Sequence, residues 1–77
     1  MTSDLAIEAF ALRLSGRMER QRCTSAELAG ITGIANRRIQ RLALGHLAHG
    51  PTIHEAARLS QALRCSKLWL AFGEGAP

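Results

Sequence analysis

Two tetrads of the form T-x-x-E, Thr24–Glu27 and Thr52–Glu55, fix where this chain can start a helix. In such a box the threonine hydroxyl accepts from the amide three residues on. The glutamate reaches back to the threonine amide, so two donors orphaned at a helix start are satisfied together. Each tetrad opens a stretch with helical spacing: Leu28, Ala29 and Ile31 after the first, and Ile53, Ala56, Ala57, Ser60 and Leu63 after the second. Gly33 breaks the first of these helices. A further helix is predicted over residues 35–44, anchored by Ile39 and Leu42 and ended by Gly45.

Two more helices complete the reading. Ala6, Phe10, Leu14 and Met18 recur every four residues, with Ile7 and Ala11 beside them, which predicts a first helix over residues 4–22. Ser66 is placed to cap a last one, KLWLAF, after a loop HLAHGP and the helix opened by Thr52. No stretch alternates with period two. Two Phe, one Trp and no Tyr among 47% apolar residues imply a core of Leu, Ile, Ala and Met. The expected fold is all-α, five helices in a single domain over residues 1–77.

Several functions find no residues to carry them. Cys23 and Cys65 fit no metal spacing and are expected to be reduced, small buried hydrophobes. His46, His49 and His54 are wrongly spaced to complete a zinc site with either cysteine. No Ser/His/Asp, Cys/His or paired-carboxylate arrangement suggests catalysis, so no enzyme and no cofactor are expected. The start MTSDLAIEAF has no basic n-region, and no apolar run approaches a membrane span. A cytoplasmic protein is expected.

Charge is unevenly placed. The chain carries a net +4, yet from Arg13 to Arg41 seven arginines face only Glu19 and Glu27, a local excess of five. The remaining residues sum to minus one. The helix over 35–44 holds Arg37, Arg38 and Arg41 with no acid, although like charges at i,i+4 repel. A solvated basic face is the plainer reading; an anionic partner is the one that relieves the repulsion, and nucleic acid fits the pattern. Two short helices joined at Gly33 describe a helix-turn-helix over about residues 24–45. Its second helix would offer its N-terminal end and outer face to a DNA major groove.

Over about residues 10 to 75 the chain resembles the Xre/Cro-type, lambda-repressor-like DNA-binding domains of phage and bacterial regulators. The segments that carry the likeness are FALRLSGRMERQR, TSAELAGITGIANRRIQRLALG, PTIHEAARLSQAL and SKLWLAFGEG. The resemblance implies base-edge contacts from Asn36, Arg37, Gln40 and Arg41. It implies phosphate contacts from Thr24, Ser25, Arg38, His46 and His49. Arginine suits guanine O6 and N7, asparagine suits adenine, and helix-start amides suit phosphate. Three departures stand out: Ser25 replaces a common glutamine, Arg22 and Arg64 replace helix-ending glycines, and Met18 and Ala43 replace an ion pair.

The implied function is a transcriptional repressor that binds a pseudopalindromic operator in double-stranded DNA as a homodimer, with no small-molecule effector. The alternative is a helix-turn-helix module that acts on another protein, as an antitoxin or antirepressor does. For the dimer two surfaces compete. The first helix has a second apolar stripe, Leu5, Ala9, Leu12 and Gly16, while Trp69, Leu70 and Phe72 lie near the C-terminus, where the family more often dimerises. Leu68, Trp69 and Phe72 are otherwise expected in the core.

Overall fold

The computed structural model describes residues 2–46 and 50–77, with side chains from residue 7 onward. It holds five helices and, among the described residues, no strand: α1 Thr2–Arg20, α2 Ser25–Thr32, α3 Asn36–Leu44, α4 Ile53–Ala62 and α5 Lys67–Phe72. Both threonine boxes form as the sequence predicts. Thr24 Oγ1 accepts from the Glu27 amide at 3.1 Å while Glu27 Oε1 accepts from the Thr24 amide at 2.8 Å. Thr52 and Glu55 repeat the arrangement at 3.1 and 2.9 Å. Ser66 Oγ accepts from the Trp69 amide and opens α5.

One core serves all five helices. Phe10 and Leu14 of α1 meet Leu28, Ile34, Ile39, Leu42, Leu59, Leu63 and Leu70, all buried. Met18, Cys23, Ala43, Cys65 and Trp69 pack against this cluster, and the two cysteines are free thiols. Burial pushes both thiols up, which disfavours the thiolate. The inner stripes differ from expectation at two points. Ile31 and Ile53 are exposed, at 66% and 57%, whereas Thr32 and Leu59 are buried. Each exposed isoleucine sits on the turn of a short helix that faces away from its neighbours, where spacing alone cannot choose the inner side.

α1 ends at Arg20, two residues before its expected end. The Cys23 amide bonds the Met18 carbonyl at 2.9 Å and the Arg22 amide bonds Glu19 at 3.1 Å, a Schellman closure with Arg22 at φ 53°. α4 closes in the same way, with Cys65 to Ser60, Arg64 to Gln61, and Arg64 at φ 54°. Glycine is the residue that adopts this left-handed geometry without strain; an L side chain there costs about 1–2 kcal/mol.

Three helix C-termini receive an arginine from elsewhere in the chain. Arg13 of α1 donates to the Leu70 and Ala71 carbonyls of α5, through Nε at 2.9 Å and Nη2 at 3.2 Å. One turn later Arg17 donates to the Leu63 and Arg64 carbonyls that end α4, at 3.3 and 3.2 Å. Arg58 of α4 reaches the Thr32 carbonyl at the end of α2, at 3.4 Å. These carbonyls lack intrahelical partners, and a cation there also complements the helix dipole.

No helix among the described residues is long and apolar enough to cross a membrane.

Candidate nucleic-acid interface

The joint between α2 and α3 positions the basic helix. Gly33 takes φ 78°, and its amide bonds the Ala29 carbonyl at 2.9 Å. Thr32 then finishes the turn: its hydroxyl donates to the Leu28 carbonyl at 2.6 Å and accepts from the Ile34 amide at 3.1 Å. That residue was not singled out from the sequence. A threonine followed by glycine at a helix end is the signal that marks it, since a hydroxyl there satisfies an amide the left-handed turn would leave bare.

From this turn Ile34 enters the core, and Ile39 and Leu42 fix α3 with 0% and 1% exposure. Asn36, Arg37, Gln40 and Arg41 lie on the opposite side, all exposed. The four share a face because residues one, three and four positions apart converge on one side of a helix. Ala35 precedes the helix and makes no side-chain cap, so the first amides of α3 are left to solvent or a ligand. No acid occupies its first turn. The chemistry available here is donation: two guanidinium forks, two carboxamides and a helix start, directed at acceptors on an anion or a base edge.

Arg38 departs from the expected phosphate role. Its Nε and Nη2 donate to Glu55 Oε2 and Oε1 at 2.8 and 2.9 Å, the one ion pair among the described residues. The helical step of about 100° turns Arg38 away from Arg37 and toward α4, not toward solvent. Bonding to Glu55 pushes the Arg38 guanidinium up, and the same bond holds the Glu55 carboxyl below its usual range against the opposing effect of burial. The T-x-x-E pattern marks Glu55 only as a capping residue. Its second partner comes from the approach of α4 to α3, which no local spacing reveals.

The other expected contacts separate. Thr24 is exposed, and its oxygen is engaged by the Glu27 amide, leaving the hydroxyl hydrogen free to donate. Ser25 is half-buried at the start of α2 and His46 is exposed just past α3. His49 lies outside the described residues. The excess of positive charge between Arg13 and Arg41 is also not a single surface, since Arg13 and Arg17 cap α5 and α4.

Of the expected dimer residues, Leu12 and Phe72 are exposed at 74% and 59%, and Trp69 is half-buried. The Leu5 side chain lies outside those described. Leu70, expected at the dimer surface, is instead wholly buried within the chain and cannot contact a second copy. Leu68 and Phe72, expected in the core, are exposed instead, because the short α5 turns Leu70 inward and its neighbours two positions away outward. Phe72 and Ile53 border a shallow apolar groove with Pro51 and Ala56 that no charged residue lines.

Comparison of the chain with protein-family models, curated proteins and solved structures finds no match.

Proposed function

We propose that this chain is a sequence-specific DNA-binding transcriptional repressor of the lambda-repressor-like, Xre/Cro type, acting as a dimer on a pseudopalindromic operator. One observation carries the reading. Beyond a left-handed glycine turn, α3 offers Asn36, Arg37, Gln40 and Arg41 on one exposed face while Ile39 and Leu42 anchor the other. Arg37 and Arg41 are assigned to guanine and Asn36 to adenine, with Gln40 on an adjacent base edge. Thr24, Ser25 and the α2 amides hold phosphate, which fixes register without reading sequence. His46 adds a neighbouring phosphate contact.

For the dimer, the uncharged groove at Ile53 and Phe72 suits a two-fold contact, in which each surface must complement itself. Selection of bound fragments from random duplex DNA tests the function. An enriched inverted repeat whose binding weakens steeply with salt supports it. Absence of enrichment, with binding to a protein partner in its place, favours the interaction-module reading.

A further inference from the structure

On the face of α1 turned toward α5 lies an open groove of about 360 Å³. Its apolar part is Leu12, Gly16, Trp69 and Pro77, and its rim is Arg13, Arg17 and Arg20. The arginines follow i, i+4, i+7, which aligns them along about two turns of helix beside Leu12 and Gly16. No Asp or Glu side chain lines the groove. Arg13 and Arg17 each spend two N–H groups on carbonyls, and a guanidinium has five to donate. We propose that this groove docks an acidic, amphipathic helical segment of a partner protein.

The lining distinguishes this occupant from others. An apolar floor framed by cations accepts a leucine-sized side chain between Leu12 and Trp69 while flanking carboxylates meet Arg20 and the donors that Arg13 and Arg17 do not spend on carbonyls. Nucleic acid would use the cations and leave the apolar floor uncovered. A second copy would bring the same arginine row against itself across a two-fold axis, and like charges facing each other oppose association. The surface is separate from the exposed face of α3 and does not depend on DNA binding.

Trp69 is the chain's only tryptophan, so its emission reports on the groove. The probe is a synthetic helix with Leu at i, i+3, i+4 and i+7 and Glu on both flanks; its control has Lys for every Glu. The acidic peptide is expected to give a saturable blue shift that the control lacks. Arg20→Glu, at an exposed residue, is expected to weaken binding about tenfold or more. Gly16→Leu is expected to abolish it by filling the groove, and a Cβ at Gly16 meets nothing within 4 Å, so the backbone there has room for a side chain. Circular dichroism confirms that both variants are folded. An equal response to the lysine peptide, or unchanged binding in both variants, overturns the proposal. So does displacement of the peptide by random duplex DNA, or self-association that Gly16→Leu disrupts.

Discussion

Arg38 and Glu55 lock the basic helix to the start of α4 through two bonds of 2.8 and 2.9 Å. Glu55 Oε1 also accepts from the Thr52 amide at 2.9 Å, so one carboxylate closes a helix cap and pairs a guanidinium. The helix that bears the exposed arginines thereby takes its orientation from α4 as well as from the core.

Glu55→Gln separates these two roles, because glutamine still accepts at the cap but carries no charge. At neutral pH the variant should be less stable by about 0.5–1 kcal/mol, the range for a partly exposed pair. The Glu55 carboxyl is held below its usual range by Arg38. Its contribution is therefore complete above the unfolded value of about 4.3 and disappears as pH falls through the lower folded value. Urea melts at a series of pH values should show the two proteins converging in acid. A gap that widens on acidification would contradict the assignment.

If the chain binds DNA as proposed, the same pairing changes what each arginine should do there. Arg37→Ala or Arg41→Ala should lose about 1–3 kcal/mol on the preferred operator and relax base preference locally. Arg38→Ala should chiefly lower stability and leave the salt slope unchanged, because Glu55 already neutralises that charge. Glu55→Gln should steepen the slope by about one unit on every sequence, as Arg38 becomes free for phosphate. Competition titrations across salt concentrations distinguish these outcomes.

What the sequence conveyed and what it withheld follow from range. Both capping boxes, the Ser66 cap, and the glycine breaks at Gly33 and Gly45 depend on neighbours within a few residues, and all stand where local chemistry puts them. The outward set Asn36, Arg37, Gln40 and Arg41 was legible too, since Ile39 and Leu42 define the opposite side. Pairings between helices were not legible. Arg13, Arg17, Arg38 and Arg58 look like interchangeable surface charges until the packing brings each to a carbonyl or carboxylate. The six-residue α5 failed for another reason: Leu68, Trp69, Leu70 and Phe72 are all apolar, so the inner side cannot be chosen from pattern.

Within α5, Leu70 and Phe72 give a contrast two positions apart. Leu70→Glu places a carboxylate in a fully buried site and should destabilise the fold by roughly 3 kcal/mol or more. Phe72→Glu, at an exposed residue, should leave the melting transition nearly intact and shift the proposed dimer toward monomer. Analytical ultracentrifugation of Phe72→Glu and of Leu12→Glu locates the contact. If only Leu12→Glu dissociates the dimer, the Ile53–Phe72 groove is the wrong surface.

Backbone strain offers a fourth test. Arg22 and Arg64 hold φ near 54° at the two Schellman closures. Replacing either with glycine should raise stability by about 1 kcal/mol, less the entropy that glycine adds to the unfolded chain. Gly16→Ala should stabilise α1 by about 0.5–1 kcal/mol, since the added methyl meets open space. Thermal melts measure all three, and a destabilised Arg64→Gly would mean its side chain does more than close the helix.

The arginines that reach across to end other helices also bear on how the chain folds. Arg13 bonds a carbonyl 57 residues away, Arg17 one 46 residues away, and Arg58 one 26 residues away. α2, α4 and α5 have only eight, ten and six residues, too short to persist alone in water. Their last carbonyls thus gain these partners only when α1 and α4 are docked, which ties the completion of each helix end to global topology. Fraying of α5 should then require release of Arg13, so its amides should exchange with solvent at a rate close to that of whole-molecule unfolding. In Arg13→Ala those amides alone should exchange faster, turning a single cooperative unit into a core with a detachable end.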